Sequence, residues 1–289
     1  MKIYLDCIPC FVRQALECAK ISSDDTELRK EVLNNVMQIL IELNYDFSPP
    51  DVARDIYSKI KEITGIADPY EKIRDQDNRK MLEFYDSIAS SILEYENALF
   101  LSCKLAAGGN IIDSGVGKKR DMHTENDLER ILRILPAVND FSDLVDELRR
   151  TKTLLYLGDN AGEIVMDKLF INAIKRDFPL IKVYYAVRGG AVINDVTIKD
   201  ARQVALDEVC EIIDNGDCSP GTNLSLCSDE FNDIFNDADM IIAKGQGNFE
   251  TLSYIKDKNL FFLLLVKCSV IARHLGVEAG SMIIKKANK

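Results

Sequence analysis

The chain has 289 residues, 47% apolar and 29% charged, the composition of an ordinary globular protein long enough to bury a substantial core. A formal net charge of −11 argues against a general binder of nucleic acid or anionic membrane, because such partners are repelled by acidic surface. A small phosphorylated ligand stays compatible with that charge where a few Lys or Arg converge or a bound cation offsets the field.

Residues 1–6 lead into a charged helical pattern without the apolar stretch of a secretory leader, and the longest apolar run, 260–266, is too short to span a bilayer, so the expected location is the cytoplasm. Several of the eight cysteines lie inside apolar segments, as reduced thiols do. Only Cys7-Ile8-Pro9-Cys10 has a motif spacing. With no second CxxC or CxxH to complete a zinc site, Cys7 and Cys10 read either as incidental thiols at a helix start or as a redox-sensitive pair.

Residues 9–148 read as helix after helix. Apolar residues recur at helical spacing over 10–19 and over 28–43, where Val32, Val36, Ile39 and Leu40 make one face. A break follows at Asp46-Phe47-Ser48-Pro49-Pro50, with Ser48 a candidate cap and proline suited to the first helical turn. Further helices are expected over 52–63, 71–94, 96–107 and 125–135. After about residue 152 the texture changes to apolar, β-branched runs at 153–157, 182–187, 208–213, 240–243, 260–266 and 281–284, alternating with helical stretches. Such runs suit parallel strands covered on both faces, and the alternation implies βαβ units. The expected fold is α/β: a helical N-terminal domain (1–150) and a Rossmann-like three-layer α/β/α domain (151–289). The charged join at Arg149-Arg150-Thr151-Lys152 is no flexible linker, so the halves are expected to pack together.

In open α/β sheets ligands bind outside the carboxyl ends of the strands, and the polar residues gather there. After the first strand come Gly158, Asp159, Asn160 and Glu163; after the second, Arg188-Gly189-Gly190 and Asn194-Asp195; after the fourth, Lys244-Gly245-Gln246-Gly247-Asn248; after the fifth, Lys267 and Cys268. Taken singly, each has a plain explanation: a helix cap for Asp159, Asn160 or Asp195, a surface amine for Lys244, loop punctuation for Gly245 and Gly247. Together, Asp159, Asn160 and Asp195 offer oxygen ligands to a divalent cation, and Lys244, Lys267 and the loop amides offer donors to a phosphate. That set suits metal-assisted hydrolysis of a phosphate ester. The dinucleotide fingerprint and the Walker loop both fail on detail, since neither GxGxxG nor GxxxxGK[ST] occurs. With only His123 and His274 present, histidine catalysis is not expected to dominate, and His274 reads as an ordinary helix residue.

These motifs, with Asp68-Pro69-Tyr70 and Ala107-Gly108-Gly109-Asn110-Ile111-Ile112-Asp113 in the helical half, resemble the damage-control phosphatases over nearly the whole chain. The amino-terminal CxxC resembles the subfamily found in archaea and some bacteria. The resemblance implies a helical region packed on a Rossmann-like core and hydrolysis of phosphate monoesters of damaged or side-product metabolites, such as sugar phosphates or nucleotide-related compounds. It carries Asp159, Asn160 and Asp195 over as metal ligands for Mn²⁺, Mg²⁺, Co²⁺ or Ni²⁺. Glu163, the Lys244-Gly245-Gln246-Gly247-Asn248 loop and Lys267 become substrate contacts, with Asn110, Asp113 and Arg188 in support. Ser269 stands where the motif often has proline. Two other readings compete: an S-adenosylmethionine-dependent methyltransferase, which calorimetry with that cofactor would reveal, and a non-catalytic phospho-ligand module switched by Cys7 and Cys10, which would bind without releasing phosphate. The sequence leaves the oligomeric state open.

Overall fold

A computed structural model of the chain describes residues 1–93, 95–109 and 130–289. Three helices, α1 (Cys7–Ser22), α2 (Thr26–Ile41) and α3 (Pro49–Thr64), bury their apolar stripes against one another, with Phe11, Val32, Val36, Ile56 and Ile60 at the centre. Ser48 caps α3 as expected, its backbone N–H donating to the Asp51 carboxylate at 3.0 Å while Pro49 and Pro50 fill the first turn. The next two helices, α4 (Glu71–Leu93) and α5 (Ala98–Gly108), differ from these because they lie on the sheet and share its core.

The sheet has seven strands: β1 (Val138–Asn139), β2 (Thr153–Leu157), β3 (Lys182–Val187), β4 (Glu211–Asp214), β5 (Met240–Lys244), β6 (Leu260–Leu265) and β7 (Met282–Lys286). Their spatial order is β1-β7-β6-β5-β2-β3-β4, and all neighbours are parallel except β6 and β7. Interleaved are α6 (Phe141–Leu148), α7 (Glu163–Asp177), α8 (Ile198–Gln203), α9 (Asp229–Asp237), α10 (Gly245–Leu252) and α11 (Ser269–Leu275). Strand residues alternate between two cores, as a pleat requires. Leu154, Tyr156 and Ile242 join Ile164 and Phe170 of α7 on one face; Leu155, Leu157 and Ile241 join Phe231, Phe249 and Ile271 of α9, α10 and α11 on the other. The result is the expected α/β/α sandwich.

Two details differ from the sequence reading. The two-residue β1 lies inside the stretch read as all helix, because so short an edge strand, paired to β7 through Val138 and Asn139, leaves no periodic signal. The last strand also runs antiparallel to its neighbour, pairing Leu263 with Ile284. The expected helix over 125–135 lies mostly outside the described residues; 130–133 are helical.

The chain order reverses at β2, which has β3 on one side and β5 on the other. That switch point lies at the carboxyl ends of β2 and β5, where Asp159 follows β2 and Lys244 ends β5.

Candidate active site

The segment after β2 is clamped to the one after β3. Val196 N–H donates to the Asp159 carbonyl at 2.8 Å, Ala161 N–H donates to the Asn194 carbonyl at 2.9 Å, and Asn160 pairs with Asp195 as an isolated antiparallel bridge. The capping explanations do not apply. Helix α7 begins after Gly162, at φ 78°, without a side-chain cap, and α8 is capped by Thr197 with Asp200. Asp159, Asn160 and Asp195 are therefore buried at strand ends for another reason.

Helix α4 holds this clamp from the helical side. Asn78 accepts from Gly162 N–H at 2.7 Å and donates to Asp200 at 3.3 Å; Arg74 donates to Asp68 and Asp200, both at 3.0 Å, and to the Ile193 carbonyl at 3.3 Å. The Asp68-Pro69-Tyr70 motif thus fixes the segment that carries Asp195. Gly109 lies against Glu163, where a Cβ would meet its Cγ at 3.3 Å. Asn110 and Asp113 fall outside the described residues, as does His123.

Around the clamp is a continuous buried network. Asn160 Nδ2 donates to Asp159 Oδ2 at 2.8 Å and to Glu163 Oε1 at 2.9 Å. Arg188 Nε donates to Asp195 Oδ2 at 2.7 Å, with another guanidinium nitrogen 4.0 Å from Asp159 Oδ1. The same guanidinium reaches Thr222 Oγ1 at 3.3 Å and Asn248 Oδ1 at 3.4 Å. Asn248 in turn donates to the carbonyls of Gly158, at 3.1 Å, and Lys244, at 2.8 Å, tying the ends of β2 and β5 together.

Lys244 is neither a surface amine nor open to a phosphate. It is 1% exposed, and its ammonium donates to Asp167 at 2.8 Å and Glu163 at 3.2 Å. Burial disfavours that charge, but the Asp167 and Glu163 carboxylates outweigh it and hold the amine above the ordinary lysine range. Gly245 and Gly247 are more than punctuation. Gly245 has φ 76°, and a Cβ there would sit 1.9 Å from Asp159 Oδ2; a Cβ on Gly247 would sit 1.9 Å from the Pro220 carbonyl. The exposed Lys267 lies at the rim, its backbone N–H donating to Gln246 Oε1 at 3.3 Å.

Burial pushes the Asp159 carboxyl well above the usual carboxylate range, helped by Asp195 and Glu163, while Lys267 and Arg188 oppose the shift. Among the described residues the connected network holds four buried carboxylates, Asp159, Glu163, Asp167 and Asp195, against two buried cations, Arg188 and Lys244. A divalent cation suits a site so rich in carboxylate. The donors fit as well: Asn160 gives its N–H groups to two carboxylates, so the carbonyl oxygen is what it offers a cation, beside oxygens of Asp159 and Asp195. Hard oxygen donors of this kind suit Mg²⁺ or Mn²⁺. The set has two carboxylates and an amide; no group of three or more His, Cys, Asp or Glu able to hold a metal occurs among the described residues.

The sequence reading missed Asp167, Tyr156, Tyr185 and Thr222. Glu163 and Asp167 stand four apart on α7 and so share a face, a spacing that was available as a signal. Thr222 lies in an irregular loop without one. The thiols of Cys7 and Cys10 are half-buried and, like the other six, unpaired. Burial pushes the Cys7 thiol up, and Glu250, Cys268 and Cys10 add to the push, which is opposite to the depressed pKa of a reactive CxxC thiol. His274 is exposed on α11, its ring edge-on to Phe249 with centroids 5.7 Å apart. Among the described residues no helix is long and apolar enough to cross a membrane.

A mostly parallel sheet with polar, oxygen-rich strand ends at its switch point defines an α/β protein whose candidate site lies at that switch point. Comparison with known proteins narrows this. Residues 3–283 match the model of the damage-control phosphatase ARMT1-like domain. A damage-control phosphatase of Pyrococcus horikoshii is 33% identical over 285 residues, covering 98% of this chain and 97% of that one. A damage-control phosphatase of Archaeoglobus fulgidus is 33% identical over 291 residues, covering 99% of each. The crystal structure of a protein of the DUF89 family from Pyrococcus horikoshii superposes with a TM-score of 0.92 at 32% identity, covering all of both chains. The chain belongs to the damage-control phosphatase ARMT1-like family.

Proposed function

We propose that this chain is a divalent-metal-dependent phosphatase acting on phosphate monoesters of small metabolites, with damaged or side-product sugar phosphates and nucleotide-related compounds as the substrate class. The observation that carries the reading is the convergence of Asp159, Asn160 and Asp195 at the switch point, together with the oriented Asn160 amide. Asp159, Asn160 and Asp195 would hold the cation, with Mn²⁺, Mg²⁺, Co²⁺ and Ni²⁺ all compatible with these donors. A cation bound there supplies Lewis-acid polarisation of a phosphoryl oxygen and offsets charge on the leaving oxygen.

The protein's own groups do the rest. Arg188 orients Asp195 through its 2.7 Å bond and ties that carboxylate to Asn248 and Thr222. The N-terminal amides of α10, at Gly245, Gln246 and Gly247, would present donors and the positive end of a helix to an anion at the strand ends. Lys267, exposed at the rim, supplies positive charge for the phosphate. Lys244 and Glu163 act from beneath by holding Asn160, since both are buried and bonded to each other.

The test is phosphate release from p-nitrophenyl phosphate and a panel of sugar phosphates and nucleotides, using chelator-treated protein with single metals restored. Release that requires metal and is lost in Asp159→Ala supports the reading. Turnover of the best substrate that is equal with and without chelator refutes it.

A further inference from the structure

Beneath the site, the side chain of Asp167 is wholly buried and meets three donors: Tyr156 Oη at 2.7 Å, Lys244 Nζ at 2.8 Å and Tyr185 Oη at 2.9 Å. The two tyrosine rings come from adjacent strands and stack, centroids 5.3 Å apart at 16°, so their hydroxyls approach the carboxylate from a fixed platform. A carboxylate held by three donors in a dry interior has no freedom to turn. The Lys244 ammonium bridges Asp167 to Glu163, and the Asn160 amide bridges Glu163 to Asp159. Acceptors and donors alternate along the whole path. Turning the Asn160 amide over would set its carbonyl oxygen against the Glu163 carboxylate that Lys244 holds, so the network favours one orientation.

We propose that Asp167 is a positioning residue for the metal centre: it holds Lys244 where that amine anchors Glu163, and Glu163 fixes Asn160 with its oxygen toward the cation. The proposal rests on the reading of Asp159, Asn160 and Asp195 as cation ligands. A cluster of buried charges is a costly way to fill space, since apolar packing of similar volume is often as stable or more so. Apolar packing is at hand here, for Ile164, Val165, Met166, Leu169 and Phe170 on the same helix are all buried. What the charges add is direction, transmitted from the sheet interior to Asn160.

The experiment measures Mn²⁺ affinity of the metal-free full chain by calorimetry, in wild type, Asp167→Asn, Lys244→Met and the double variant, with circular dichroism and melting curves to establish folding. Asp167→Asn is expected to weaken Mn²⁺ roughly tenfold or more, the usual effect of losing a partner that orients a ligand. The double variant is expected to lose no more than the worse single one, because both act along one path. Wild-type affinity in folded Asp167→Asn overturns the proposal, as do losses that multiply in the double variant. Should Asp167→Asn not fold, Tyr156→Phe with Tyr185→Phe removes two donors at constant shape. Several-fold weaker Mn²⁺ binding there supports the proposal, and unchanged binding overturns it. A folded wild type that binds no Mn²⁺ refutes the metal reading and the proposal with it, whereas intact wild-type binding with no response to these variants refutes the proposal alone.

Discussion

Gly245→Ala offers the sharpest single-atom probe of the site. The added Cβ would lie 1.9 Å from Asp159 Oδ2 and 2.2 Å from its Cγ, short of ordinary contact by about 1.5 Å. Asp159 cannot simply swing aside, because Asn160 Nδ2 bonds Oδ2 at 2.8 Å and its backbone carbonyl is bound to Val196 N–H. The residue itself sits at φ 76°, which costs a non-glycine about 1–2 kcal/mol. That strain lowers the melting temperature by about 2–4 °C per kcal/mol in a chain of this size. The larger effect is on function, since a misplacement of about 1 Å at a reacting centre costs on the order of a hundredfold in rate. The assay pairs melting curves with metal-restored phosphate release. A folded Gly245→Ala protein with wild-type kcat and Mn²⁺ affinity would refute the placement of Asp159 against this glycine as a determinant of the site.

Other outcomes follow from the same geometry. Lys244→Met leaves Glu163 and Asp167 buried without their cation and should cost about 3–5 kcal/mol in urea unfolding; a change below 1 kcal/mol would contradict the burial of that pair. Lys267→Ala, at the exposed rim, should raise KM several-fold while leaving stability within about 0.5 kcal/mol, and an unaltered KM for every substrate removes it from the phosphate site. Arg188→Lys keeps the charge but cannot hold Asp195, Thr222 and Asn248 together, so kcat should fall at least tenfold; full activity would show that the fork is dispensable. The metal-free chain should also lose stability as pH rises. The folded Asp159 carboxyl titrates well above its ordinary 3.8, so its contribution is complete below that value and is lost as pH rises through the raised one. Melting temperatures in chelator should therefore fall with pH in wild type, less so in Asp159→Asn, and recover with Mn²⁺; a rise with pH specific to Asp159 would reverse the sign of the argument.

How much was legible in the sequence depended on periodicity and on strand ends. The bounds of β2 and β3 agree with the apolar runs at 153–157 and 182–187, because a doubly covered strand must be apolar throughout. The polar strand ends then follow from the βαβ pattern, and with them the candidacy of Asp159, Asn160, Asp195 and Arg188, whereas the strand order that sets β5 beside β2 does not. Illegible was the direction of each side chain once buried. Lys244 stands in a motif loop where a phosphate contact was the natural expectation, yet Asp167, seventy-seven positions earlier, takes its amine. The partner is set by packing of α7 on the sheet, which no local pattern records. The two-residue β1 and the reversed β7 were likewise hidden, since pairing direction at a sheet edge depends on the path of the connection and not on strand composition.

The most direct test of the central claim is anomalous diffraction from a crystal of the chain soaked in Mn²⁺. The account predicts a peak within coordination distance of Asp159, Asn160 and Asp195, absent in Asp159→Ala. A saturated crystal whose only peaks lie elsewhere, or whose peak persists unchanged in Asp159→Ala, would contradict it.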